Sequence, residues 1–135
     1  MTYLASYAAA LVVFVISDMI WLGTMVSRFY RPILEEVLLP TVNLPVAIVF
    51  YLLYPLGLVI FAITPALKAG SATTAFLYGA LFGFFTYATY DLSNFATLRN
   101  WTMQLTIVDI AWGTILGAIT ASVGYVLGQY ASGIG

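Results

Sequence analysis

Long apolar stretches separated by short polar segments dominate this chain. Three stretches contain no Asp, Glu, Lys or Arg: Val37–Leu67, Ala69–Tyr90 and Ile110–Gly135. Each exceeds the ~20 residues that an α-helix needs to cross about 30 Å of hydrocarbon. A further apolar run, from Tyr3 to Met25, is interrupted only by Asp18. The pattern predicts an all-α integral membrane protein, a four-helix bundle.

Breaks in this pattern place the helices within a single domain, residues 1–135. We expect transmembrane spans at about residues 3–25, 45–63, 73–97 and 102–129. Pro55 should kink the second span and Thr64-Pro65 should end it, because proline disrupts the helical hydrogen-bond ladder. After Pro32, apolar residues alternate with acidic ones at helical spacing (Ile33, Leu34, Val37 and Leu38 opposite Glu35 and Glu36). They predict a short amphipathic helix in the membrane interface between helices 1 and 2, with a structured loop as the alternative.

Composition narrows the function classes. Hydrophobic residues make up 63% of the chain and charged residues 7%, against roughly a quarter charged in soluble domains. The chain has no cysteine and no histidine, which excludes disulfides, zinc sites and histidine-ligated haem. The sequence therefore identifies no metal ligand, and it leaves any cofactor unknown. The net charge of −1 gives no reason to expect a nucleic-acid partner.

The few basic residues indicate an orientation. Arg28, Arg31 and Arg99 fall in the loops after the first and third spans, whereas the opposite side has Lys68 and the amino terminus. The positive-inside rule favours cytoplasmic arginine-bearing loops, with both termini outside. Tyr30 and Trp101 lie at span boundaries, and we interpret them as aromatic belt residues.

Three aspartates inside the spans are the main candidates for function. An ionised carboxylate at the bilayer centre costs at least ~2.5–3.5 kcal/mol on insertion scales, so each needs a local reason. Counted from the span ends, Asp18, Asp91 and Asp109 all lie roughly 10 Å below the arginine-bearing surface. They are therefore predicted to form one layer.

Polar and aromatic residues accompany these aspartates at helical spacing. Asp-x-x-Trp occurs twice, and Tyr87, Asp91 and Asn94 share one helix face. Arg99, eight residues beyond Asp91, has the length to reach back toward it. The candidate ligand-binding or proton-relay residues are Asp18, Asp91, Asp109, Asn94, Tyr87, Tyr90, Trp21, Trp112 and Arg99.

Small residues predict which helices pack closely. Gly79-x-x-x-Gly83 in the third span and Gly113-x-x-x-Gly117 in the fourth let two backbones approach. Packing these stripes together would bring Asp91 near Asp109. A homodimer seam is the alternative use of such stripes.

Several tracts resemble one family of small bacterial membrane proteins. They are Phe29-Tyr30-Arg31-Pro32, Phe50-Tyr51-Leu52-Leu53-Tyr54-Pro55-Leu56-Gly57, the run from Ala88 to Arg99 and Val108-Asp109-Ile110-Ala111-Trp112-Gly113-Thr114. The chain resembles the domain of unknown function 2177 family along nearly its whole length. The resemblance implies a multi-pass protein of the bacterial inner membrane with four spans. It implies no activity and assigns no functional residue.

Three functions remain open from the sequence. The first is binding of a small polar ligand, lipid headgroup or cation at the aspartate layer, with or without catalysis. The second is an accessory or structural subunit of a membrane complex, whose aspartates only join helices. The third is a small proton- or cation-coupled transporter that works as a dimer. A shared site requires Asp18 to converge with the other two aspartates.

Overall fold

The computed structural model describes residues 1–35 and 43–134, which form a bundle of four helices. The helices are α1 (Thr2–Leu34), α2 (Leu44–Ala69), α3 (Ala72–Thr97) and α4 (Met103–Ile134). By length and composition, α1, α2 and α4 are long and apolar enough to cross a membrane. At 26 residues, α3 spans about 39 Å, but its threonines and tyrosines make it less apolar.

Two helices continue past the ends that we expected. In α1, a π-helical turn at Val26–Tyr30 leads directly into Arg31–Leu34. In α2, a π-helical turn at Val59–Ile63 leads into Thr64–Ala69. The residue before each proline bonds back five positions, Arg31 to the Val26 carbonyl and Thr64 to that of Val59. This wider turn accommodates a proline that has no N–H of its own, so the helix bends instead of ending.

The predicted interfacial helix is therefore seen only in part. Arg31–Leu34 is helical, but it extends α1. Val37 and Leu38, the second half of its apolar face, lie outside the described residues.

Glycines set the distance between α3 and α4, as predicted. A methyl group at Gly83 would overlap the Gly113 carbonyl, and one at Gly79 would overlap that of Gly117. The other small pair of α4, Gly124 and Gly128, faces α1 and α2. Every one of these glycines is thus used inside the bundle.

The central core lies where α1, α2 and α4 meet. Phe14 stacks on Tyr54 with ring centroids 4.8 Å apart, above Leu58, Ile63 and Leu116. A second apolar cluster joins the end of α1 to the start of α4 through Leu34, Trp101 and Leu105. The aspartates lie between these two clusters.

Candidate functional site

A cavity of about 550 Å³ separates the two apolar clusters. Tyr54 bounds it toward the central core, and Leu34 and Trp101 bound it at the arginine-bearing end. Its aromatic lining is Trp21, Tyr30, Phe50, Tyr54, Tyr87, Tyr90, Trp101 and Trp112. Asp18 and Asp109 also line it, and no lysine or arginine is among the described residues of its wall. The cavity thus combines aromatic faces with two acidic side chains.

Asp18 joins three helices. Its side chain is 7% exposed, and its Oδ2 accepts a hydrogen bond of 2.6 Å from Tyr51 Oη of α2. Its Oδ1 accepts a longer bond of 3.4 Å from Trp112 Nε1 of α4. Both donors are neutral groups, so within the described ranges the carboxyl is hydrogen-bonded without being paired to a positive charge.

Asp109 is held by a chain of two donors from α1. Tyr30 Oη donates to Asp109 Oδ1 at 2.5 Å, and Trp21 Nε1 donates to Tyr30 Oη at 2.9 Å. Tyr30 ends the π-helical turn of α1. The turn that accommodates Pro32 therefore also delivers a hydroxyl group to the acid of α4.

The two Asp-x-x-Trp sequences meet face to face. Trp21 and Trp112 stack with ring centroids 4.4 Å apart and planes 4° from parallel. Each indole serves the carboxyl group of the opposite helix, Trp112 directly to Asp18 and Trp21 through Tyr30 to Asp109. Antiparallel α1 and α4 thus form one continuous acid–aromatic network.

Asp91 lies behind Asp109, fully buried on α3. Its carboxyl group lies near that of Asp109, but neither Asp91 oxygen has a hydrogen-bond partner among the described residues. A bond between two carboxyl groups requires a proton on one of them, since two carboxylates repel each other. We refer to these two neighbouring groups as the Asp91–Asp109 carboxyl pair; of the two, only Asp109 lines the cavity.

Of the other predicted site residues, two line the cavity and two lie outside its lining. Tyr87 lines the cavity with its ring against Gly113, where any side chain would displace it. Tyr90 also lines it and contacts Trp101 edge to face. Asn94 is half-buried one turn beyond Tyr90. Arg99 is exposed past the end of α3.

Three expectations fail here. Tyr30 is not a lipid-facing belt residue, because it lines the cavity and donates to Asp109. Arg99 does not reach Asp91, whose oxygens have no hydrogen-bond partner among the described residues; Arg99 is exposed in the turn that follows α3. Trp101 is not a lipid-facing belt residue, because it is 8% exposed and donates to Thr106 Oγ1 at 3.0 Å. Within the described ranges, acidic residues form no group of three suited to a metal ion.

Sequence reasoning missed the contribution of α2. Tyr51 bonds Asp18, while Tyr54 bonds Thr86 of α3 at 3.0 Å. A signal was present, because tyrosines concentrate at membrane interfaces and these two lie in the middle of an apolar span. A mid-span hydroxyl group needs a buried partner.

No curated protein and no solved structure matches the chain. A family model described as "Predicted membrane protein (DUF2177)" matches residues 3–126. That range contains α2, α3, the cavity and all three aspartates. The chain belongs to the DUF2177 family of membrane proteins.

Proposed function

We propose that this membrane protein binds a small organic cation in the cavity, with the positive charge held between Asp18 and Asp109. One observation carries the proposal: two carboxyl groups and eight aromatic side chains line one cavity whose described wall has no basic residue. A cation over an aromatic face gains ~0.5–2 kcal/mol per favourable contact. Acidic groups and aromatic faces favour the same kind of ligand.

The energetics of the acids support a cationic ligand. An ionised carboxylate within the membrane costs at least ~2.5–3.5 kcal/mol, and the donors to Asp18 and Asp109 are neutral tyrosine and tryptophan groups. Hydrogen bonds alone leave the negative charge in the apolar layer. A bound cation would offset it.

The cavity itself argues against a purely structural role. Helix bundles that need only be held together pack closely, whereas about 550 Å³ lies within the range of small-molecule sites, roughly 300–1,000 Å³. Ligand binding explains why the bundle leaves this space open.

The Asp91–Asp109 pair favours one second candidate, proton-coupled transport of the cation. If the two carboxyl groups share a proton, an arriving cation would displace it, because the proton and the cation neutralise the same negative charge. In both cases we place the protein in a bacterial inner membrane, on the family resemblance.

Titration of the full chain in lipid nanodiscs with choline tests the binding proposal. All three tryptophans of the chain line the cavity, so their fluorescence reports directly on occupancy. The matched neutral probe is 3,3-dimethyl-1-butanol, which has the shape of choline without its charge. We expect saturable fluorescence changes with choline and much weaker changes with the alcohol. Equal responses, or none, would overturn a cation site.

Variants that remove one negative charge test whether choline binds at Asp18 and Asp109. Asp18→Asn and Asp109→Asn should each weaken choline binding about 10- to 100-fold, because each removes the coulombic attraction of one carboxylate for the ammonium group. Their amide oxygens still accept the tyrosine hydroxyl groups, so folding should persist. Glu35→Gln makes the same chemical change at an exposed acid outside the cavity and should bind like the parent.

A further inference from the structure

A second space adjoins the cavity on the lipid-facing side of α3. It is an apolar groove of about 670 Å³, bounded by Phe61 of α2 and by α3 from Tyr78 to Thr89. Thr86 lines both the groove and the cavity. The acidic cavity and the apolar groove therefore meet at one residue.

The groove has the dimensions and surface of a site for an alkyl chain. Tyr78 and Thr89 are 11 positions apart on α3, which corresponds to about 16 Å along the helix. Leu81 and Phe85, both in its wall, are 52% and 62% exposed. The groove thus opens toward the hydrocarbon of the bilayer.

The boundary between the two spaces is made by side chains. The first half of α2 hardly contacts the α3 backbone, which packs instead on the π-helical turn of α2. Tyr54 bridges the gap through its bond to Thr86. Phe50 and Tyr90, on the cavity wall, are 42% and 58% exposed. A ligand could therefore pass between α2 and α3 when side chains move, without separation of the helices.

The charge of the cavity restricts the headgroup. A phospholipid that placed its ammonium group between Asp18 and Asp109 would bring its phosphate into the same region. No lysine or arginine lines the described wall to accept that phosphate, and the two acids would repel it. The lining therefore favours a positively charged headgroup without phosphate.

We propose that the ligand is a cationic amphiphile, a quaternary or protonated amine on a single alkyl chain, which enters from the bilayer between α2 and α3. Its headgroup occupies the cavity and its chain lies in the groove. This inference rests on the cation site proposed above and adds the chemical class of the ligand and its route.

Displacement of radiolabelled choline from the full chain in nanodiscs tests the inference. The competitors are tetramethylammonium, dodecyltrimethylammonium and a lysophosphatidylcholine with a twelve-carbon chain. In Leu81→Trp, which fills the groove, displacement by the dodecyl compound should weaken about tenfold. Displacement by tetramethylammonium should stay within about twofold of the parent. All variants are compared at one lipid concentration, so that the amphiphile partitions into the bilayer to the same extent in each sample.

Leu127→Trp is the matched control, since it makes the same substitution at an exposed site on α4. It should leave displacement of choline by both competitors unchanged. If Leu81→Trp weakens displacement by both compounds equally, or by neither, the groove does not hold the alkyl chain and this inference is wrong. Strong displacement by the lysophospholipid would also overturn it. Failure of choline to bind at all would instead overturn the cation site itself.

Discussion

Tyrosine and tryptophan solve the problem of placing acids inside an apolar bundle. Their rings pack against hydrocarbon while a single O–H or N–H group hydrogen-bonds a carboxyl oxygen. Tyr51, Tyr30 and Trp112 act in this way on Asp18 and Asp109. Arginine would have neutralised the same acids, whereas these donors leave the acids available to a ligand.

Removal of one such donor should weaken the network. Tyr30→Phe deletes both the donor to Asp109 and the acceptor for Trp21. We expect a loss of about 0.6–1.7 kcal/mol in the free energy of unfolding, which spans the average and the maximum found for hydrogen bonds between membrane helices. Thermal or detergent-induced unfolding measures it. Tyr130→Phe, at a 68% exposed position, is the control and should unfold like the parent.

Asp91 offers a test of the carboxyl pair. In Asp91→Asn, the amide N–H can donate to Asp109, whereas the Asp91 oxygens at present receive no bond from a donor in the described part of the chain. We therefore expect this variant to melt at the same temperature as the parent or higher. A clear drop in melting temperature would mean that the carboxyl pair stabilises the bundle in a way that an amide cannot reproduce.

At the scale of elements, the π-helical turns before Pro32 and Pro65 determine the shape of the site. Each turn adds a residue to one helical turn and so rotates the remainder of the helix about its axis. The first turn places Tyr30 beside Asp109, and the second packs against α3 and contributes Phe61 to the wall of the groove. Prolines that would end a helix in water are accommodated here because other contacts stabilise the bend.

Close packing of α3 on α4 predicts a sensitive position. Gly83→Ala places a methyl group against the Gly113 carbonyl, and we expect a cost of about 1–3 kcal/mol as the backbones separate. Gly23→Ala adds the same group on α1, where nothing lies within 4 Å. That variant should be neutral or more stable, by up to about 1 kcal/mol. Equal melting temperatures for both variants would contradict the packing.

At the scale of the whole molecule, the four helices enclose the acids beneath the arginine-bearing surface. Three helices are long and apolar enough to span a membrane, and α3 packs along α4 through its glycines. An antiparallel partner of that length should cross with it. We therefore expect four spans, with both ends of the chain on one side of the membrane.

Reporter fusions at the two ends test this topology. With Arg28, Arg31 and Arg99 in cytoplasmic loops, the positive-inside rule predicts both reporters on the outer side. In a bacterial host, alkaline phosphatase should be active at both ends, and a cytoplasmic fluorescent reporter at neither. Reporters on opposite sides would contradict four spans. Both on the inner side would reverse only the orientation.

The sequence by itself determined the membrane-embedded helical class and the closeness of α3 to α4. A long apolar run indicates that a helix lies in lipid, and a glycine stripe indicates that another helix packs closely on it. Both patterns can be recognised within a single helix, without knowledge of the tertiary structure. Spacing also indicated that Asp91 lies at the depth of Asp109. Helix ends at prolines were less predictable, because proline ends a helix only when neighbouring contacts do not favour its continuation.

The cavity, its aromatic lining and the groove were decided by the tertiary structure alone. A cavity is space left between segments that are distant in sequence, so it depends on the rotation of each helix against the others. Tyr51 and Tyr54 looked like ordinary members of an apolar span until Asp18 and Thr86 faced them. Periodicity along a single helix shows which residues share a face, but only packing shows which other helix that face meets.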